Sequence, residues 1–132
     1  MIIGIGSDLL KQDRIKRIFI KFPHLLVKKL LHNDEHVSFE NMDNINQVKF
    51  LAKKFSVTEA FSKALGTGIG AYCNFRDLIL KNNEHGKPIL SITGSTKQYL
   101  KTLNAHVKIH ITFSDETIKD EILVLSTVIL EA

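Results

Sequence analysis

Glu59 and Lys63 stand four residues apart in the run Phe55-Ser56-Val57-Thr58-Glu59-Ala60-Phe61-Ser62-Lys63-Ala64-Leu65. On a helix, that spacing puts both side chains on one face. A solvated ion pair of this kind contributes only about 0.3 kcal/mol, and taken alone it is the commoner reading. Position gives the pair more weight. Ala60, Ser62 and Ala64 are small enough to leave the face open, and the glycine-rich run Gly66-Thr67-Gly68-Ile69-Gly70 follows at once. A carboxylate beside an ammonium near bare backbone amides suits a metal ion and phosphate oxygens together. The glycine run lacks the Gly-Lys-Ser/Thr ending of a Walker loop. It also closes a helix, whereas a dinucleotide fingerprint opens one. It reads first as a helix C-cap, with Thr67 and backbone N–H groups open to a phosphate.

Asp8 is the second acid of interest. The sequence predicts that it ends an opening strand, Ile2 to Leu9, at the edge of a cleft. A lone aspartate there most often caps the next helix. With Glu59 it would supply two hard oxygen ligands, a set that Mg²⁺ takes alongside waters and substrate phosphate. Sequence spacing does not say whether the fold joins them. His106 and His110 fall on one face of a strand; His110 reads equally as a phosphate contact and as a satisfied structural histidine. Zinc spacing and a nucleophile elbow are both missing.

The elements that must position these residues follow from periodicity. Ile2 to Leu9 is apolar and β-branched and reads as a buried strand. Lys11 to Ile20 carries Ile15, Ile18 and Phe19 at helical spacing. Pro23 interrupts it before a short helix from Leu25 to Leu31. His32 to Asn46 is polar and irregular and reads as a surface loop. From Gln47 the stripe Val48, Leu51, Phe55, Ala60, Phe61, Ala64, Leu65 predicts the longest helix, ended by Gly66. Phe75 to Lys81 and Pro88 to Ile92 read as strands joined by a loop containing Gly86. Thr96 to Leu103 reads as a helix capped by Ser95. Val107 to Phe113 and Glu121 to Leu130 close the chain around a turn, Ser114 to Asp120. The order β-ααα-ββ-α-ββ predicts an α+β fold, with a mainly antiparallel sheet around a long central helix. No internal repeat or linker divides it, so residues 1–132 read as a single domain.

Composition narrows the function classes. The chain has 132 residues, one cysteine and 44% hydrophobic residues, enough for a core and too many for a disordered chain. Cys73, being alone, forms no internal disulfide. The longest apolar run, Ile122 to Leu130, is far short of the roughly 20 residues that span a bilayer, and the N-terminus lacks the basic leader of a secretion signal. A cytoplasmic protein without membrane partners is expected. A net charge of +4 favours an anionic partner without naming one. RNA binding is a rival reading, suggested by that charge and by Lys53-Lys54. The aromatics, 8% of the chain, sit at helix-core periodicity and offer no stacking motif, so a nucleic-acid partner is not expected.

Taken together, Ile3-Gly4-Ile5-Gly6-Ser7-Asp8, Arg14-Ile15 and the block from Phe55 to Gly68 resemble the signature of the bacterial holo-[acyl-carrier-protein] synthases. Gly86-Lys87-Pro88, His110 and Val128-Ile129-Leu130-Glu131 follow in the same order, so the resemblance covers essentially the whole chain. It implies a 4′-phosphopantetheinyl transferase fold. It also implies transfer of the phosphopantetheine arm of coenzyme A to a serine of apo acyl carrier protein, releasing adenosine 3′,5′-bisphosphate, in fatty acid biosynthesis. Mg²⁺ would be held by Asp8 and Glu59. Lys63 and the turn Gly66, Thr67, Gly68 would lie along the phosphates, with Lys87, Pro88 and His110 nearby. Asp8, Glu59 and Lys63 would carry catalysis, and Arg14 would receive the acidic carrier protein. A homotrimer with sites between subunits is implied too, and a non-catalytic nucleotide-binding trimer is the second rival. Two departures stand out. Thr58 replaces the lysine usual before the glutamate, a loss that Lys54 could offset, and Ser114-Asp115 stands where a second histidine is common.

Overall fold

The computed structural model describes residues 1–132, and its backbone follows the hydrophobic pattern closely. Strand β1 (Ile2–Lys11) leads into helices α1 (Gln12–Lys21), α2 (Pro23–Leu30), α3 (Asn33–Glu40) and α4 (Asn44–Leu65). A 3₁₀ turn (Phe75–Asp77) then precedes β2 (Leu78–Asn82), β3 (Pro88–Ile92), α5 (Gly94–Leu103), β4 (Lys108–Ile118) and β5 (Glu121–Glu131). The fold is α+β and antiparallel throughout, as expected, but its strands form two sheets: a three-stranded one ordered β1-β5-β4 and the hairpin β2-β3. No helix is long and apolar enough to cross a membrane.

Helix α4 is the axis of the domain. Its C-terminal half (Val57, Phe61, Leu65) packs with Leu78, Leu80 and Leu90 of the hairpin and Val128 and Leu130 of β5. Its N-terminal half joins a second core, where Leu51 meets Ile15, Leu26, Leu30 and Phe39. The long helix is therefore held by burial on several sides; intrinsic propensity need contribute little. Strand β1 crosses α4 so closely that a β-carbon on Gly4 or Gly6 would overlap the carbonyl oxygen of Ala64 or Ala60. Only glycine permits that approach.

The sequence pattern misplaced five details. The expected loop from His32 to Asn46 contains α3. That helix starts in a reciprocal capping box: Asp34 N–H donates to His32 Nδ1 and His32 N–H donates to Glu35 Oε1. Histidine is a rare cap, so the signal passes unnoticed. Strand β1 runs past Asp8 to Lys11 and is buried on one face only, because no layer covers its other side. Strand β4 extends through Ile118, leaving a two-residue turn at Lys119 and Asp120 with φ of 50° and 65°. Charged Asp115 and Glu116 look like a turn in sequence, yet suit an exposed edge strand. Phe75–Asp77 is a 3₁₀ turn and not the start of β2. Finally, α5 begins after Thr93, and its amides are capped by Asp77 instead of Ser95.

Candidate active site

Strand alternation sends Gly4, Gly6, Asp8 and Leu10 of β1 toward α4. Asp8 thereby lies along the helix between two of its polar residues. Ser56 Oγ donates to the Asp8 carbonyl oxygen at 3.4 Å. Lys63 Nζ donates to the Ser7 carbonyl oxygen at 2.9 Å and stands 3.7 Å from Asp8 Oδ1. Glu59 falls between Ser56 and Lys63 on the same helix face, so the fold gathers both acids and the lysine at one corner. The lysine turns to Asp8 across the sheet interface and not along the helix to Glu59.

One atom of this corner is unusual. Asp8 Oδ2 is buried and has no hydrogen-bond partner. Buried carboxylate oxygens are almost always satisfied, so a lone acceptor here fits a cation. Oxygens of Asp8 and Glu59 are the hard donors that Mg²⁺ prefers, and these residues therefore fit that ion. Beneath Asp8, the Ser56 and Ser126 hydroxyls bond at 2.7 Å and tie α4 to β5.

From Glu59 a groove of about 1050 Å³ opens between α1, α2 and the 3₁₀ turn. Its floor is aromatic: Phe55 stacks on Phe75 at 5.4 Å, and the Arg14 guanidinium lies 5.5 Å over the Phe55 ring. Asp77 also lines it, but that carboxylate is engaged. Its Oδ2 accepts from Thr96 N–H at 3.1 Å, Thr96 Oγ1 at 2.8 Å and Ser95 Oγ at 3.1 Å. Burial alone would raise its pKa; the hydrogen bonds from Thr96, Ser95 and Asn74 outweigh this and hold the carboxyl below its ordinary value. Cys73 is no nucleophile, since burial, with Asp77 and Glu59 nearby, pushes its thiol up to about 12.

The remaining expected residues lie elsewhere, or are turned inward. Gly66 takes the left-handed conformation (φ 81°) and closes α4. The N–H groups of Gly66, Thr67 and Gly68 all donate to the Ser62 carbonyl oxygen at 3.1 to 3.3 Å, and Thr67 Oγ1 donates to the Gly68 carbonyl oxygen. The amides expected to stand free are thus shared on one acceptor. Lys87 and Pro88 sit where the β2-β3 hairpin returns, with the Lys87 N–H on Asn83 Oδ1. His110 pairs in register with Ile129, so it lies on the sheet face opposite Asp8. Its Nε2 meets Glu131 Oε1 at 3.0 Å, and that hydrogen bond lowers the Glu131 pKa. A single chain does not bring His110 to the acidic corner.

Lys54 does not stand in for the lysine that Thr58 replaces. It is fully buried, bonded to Glu35 and to the Leu78 carbonyl oxygen, and Thr58 Oγ1 donates to the Lys54 carbonyl oxygen. Glu35 and Asp77 were missed by spacing alone. Their roles depend on contacts between distant segments, and only the capping pattern His32-x-x-Glu35 left a local trace.

A buried strand-helix corner with an unpaired carboxylate oxygen thus lies next to a basic aromatic groove. Residues 4–121 match the model of the 4′-phosphopantetheinyl transferase superfamily. The holo-[acyl-carrier-protein] synthase of Photobacterium profundum is 34% identical over 99% of this chain and 98% of its own. The crystal structure of the Neisseria meningitidis holo-[acyl-carrier-protein] synthase superposes with a TM-score of 0.87 at 32% identity, covering 100% of both chains. That of a Bacillus anthracis str. Ames holo-(acyl-carrier-protein) synthase, in complex with CoA (3′,5′-ADP), gives 0.79 at 30% identity over 100% of this chain and 98% of the other. The chain belongs to the 4′-phosphopantetheinyl transferase superfamily, among the holo-[acyl-carrier-protein] synthases.

Proposed function

We propose that this single-domain enzyme transfers the 4′-phosphopantetheine arm of coenzyme A to a serine of apo acyl carrier protein, a reading supported by relatives named holo-[acyl-carrier-protein] synthase, one of them in complex with CoA. The products are holo carrier protein and adenosine 3′,5′-bisphosphate, and the reaction serves fatty acid biosynthesis in the cytoplasm. The observation that carries the mechanism is the buried, unpartnered Asp8 Oδ2 on the helix face that bears Glu59 and Lys63. Asp8 and Glu59 would hold Mg²⁺, which when bound neutralises the diphosphate and strengthens its phosphorus as an electrophile.

The chain's own groups do the rest. The attacking hydroxyl belongs to the carrier protein, so the enzyme needs no nucleophile. Lys63, 55% exposed at its side chain, swings from Asp8 onto a phosphate oxygen and offsets charge as the phosphorus–oxygen bond to the leaving bisphosphate breaks. Thr67 and the amides of Gly66 and Gly68 exchange the shared Ser62 carbonyl, where each bond is long, for a phosphate oxygen, a stronger acceptor. Of the two carboxylates lining the groove, Asp77 is committed to α5. Glu59 therefore takes the serine proton, directly or through water.

The outer face of the three-stranded sheet supports a homotrimer. Ile5 is 66% exposed, Leu9 65% and Leu125 40%, on the side that carries His110. A neighbouring copy covering this face would bury those side chains and bring His110, with Lys87 and Pro88, toward a neighbour's phosphates. Arg14, exposed on α1, receives the acidic carrier protein. Mixing the protein with coenzyme A, Mg²⁺ and apo carrier protein and weighing the carrier tests the reading: a gain of one phosphopantetheine is expected. No gain, with coenzyme A bound, would favour a non-catalytic trimer; tight RNA binding without a gain would favour the nucleic-acid reading.

A further inference from the structure

Three cations line the groove, and their charge has no partner within the chain. Arg14 stands on α1, Arg76 in the 3₁₀ turn and Lys29 on α2. All three are exposed, and none has a carboxylate oxygen within 4 Å. Asp77, the acid next to Arg76, is held by Thr96, Ser95 and Asn74. The same groove carries exposed apolar groups: Leu25 at 66%, Phe22 at 49% and Ile69 at 37%. An apolar groove with three unpaired cations in its lining matches an amphipathic helix with acids beside its apolar stripe.

We propose that Arg76 is a specificity-determining residue, gripping an acidic side chain of the carrier protein in the groove that Arg14 also lines, with Lys29 as a weaker third contact. This rests on the transferase reading. The backbone of Arg76 is fixed for the task. Thr93 N–H and Thr93 Oγ1 both donate to the Asp77 carbonyl oxygen, at 2.7 and 2.9 Å, and Phe75 is anchored by stacking on Phe55. The planar guanidinium can bond a carboxylate in bidentate fashion, losing less freedom per hydrogen bond formed than an ammonium does. Contact from Arg14 and Arg76 together would hold the carrier against the groove that Glu59 lines.

The test is calorimetric binding of apo carrier protein, together with steady-state kinetics in which carrier and coenzyme A are varied separately. Arg76→Glu is expected to weaken carrier affinity and raise the carrier KM by about tenfold, with the KM for coenzyme A unchanged. Arg76→Lys, which keeps charge and loses the fork, should fall between. Affinity should also depend less steeply on salt in Arg76→Glu. An unchanged carrier affinity in a folded Arg76→Glu or Arg76→Gln protein overturns the proposal, and so does a rise confined to coenzyme A, which would assign Arg76 to phosphate. The transferase reading is judged separately, by whether the wild-type chain modifies the carrier. A wild-type chain that binds no carrier overturns both.

Discussion

Helix α4 carries two lysine–carboxylate pairs, about two and a half turns apart, and they have opposite fates. Lys54 and Glu35 are 0% and 1% exposed at their side chains, and every oxygen of Glu35 is engaged: Oε1 by Lys54 and His32 N–H, Oε2 by Leu80 N–H. Lys63 and Asp8 are 55% and 16% exposed, stand 3.7 Å apart and leave Asp8 Oδ2 without a partner. The first pair joins α3, α4 and β2 and has no capacity left. The second keeps an acceptor unmet, the oxygen to which the proposed Mg²⁺ would bind. Satisfaction of buried polar atoms thus separates a closed ion pair from one with an acceptor to spare where residue type does not.

The comparison breaks most visibly at Asp8. Asp8→Ala or Glu59→Ala should cut transfer on the order of 10³-fold or more, read by carrier mass, while the melting temperature holds or rises. Mg²⁺ is expected to raise the melting temperature of the wild type; that rise should vanish in either variant, and chelation should abolish wild-type turnover. Near-normal turnover in either variant would end the metal assignment. At the other pair the sign reverses. Lys54→Met strands a buried carboxylate and should cost about 3–5 kcal/mol by urea denaturation, and Lys54→Met with Glu35→Leu should recover only part of it, because His32 N–H and Leu80 N–H then lose their acceptor. Burial lowers the Lys54 pKa below its ordinary 10.5, with Glu35 opposing. The unfolded chain therefore holds more protons between the folded value and 10.5, and this group makes stability rise with pH across that window.

Smaller effects sharpen the contrast. Asp77→Asn should cost about 1 kcal/mol, the usual worth of a helix cap. The depressed Asp77 pKa gives stability that is present above the ordinary value of 3.8 and lost as pH falls through the folded value. A stability-against-pH curve should therefore fall less steeply below that point in Asp77→Asn. Least of all, Ser56→Ala should cost about 1 kcal/mol by leaving Ser126 Oγ unpaired, and Ser56→Ala with Ser126→Ala should cost less than either alone. Additive losses in a double-mutant cycle would show that the two hydroxyls do not act as a pair.

Much of this was legible in the chain. The stripe from Val48 to Leu65 marked α4, and the small residues with Glu59 and Lys63 marked its open face. The strand before Asp8 was marked too, though its glycines did not show that the backbone of α4 lies against them. The ends of β1 and β4 were missed because exposed strand residues carry no burial signal. Helix α3 was missed because histidine supplies its cap. The suggestion that Lys54 could offset the lysine missing at Thr58 failed for a plain reason: its position one turn before Thr58 on the same helix says nothing about what it meets, and α3 holds Glu35 in the core to receive it.

Sequence by itself determined the elements, since periodicity, glycine and capping act over a few residues, and it supplied a carboxylate and a lysine at helical spacing. Only tertiary structure decided which carboxylate each lysine meets and which oxygen stays unpaired. Those outcomes depend on segments tens of residues apart closing on one another and excluding water, and the strength of an electrostatic contact is set by that exclusion.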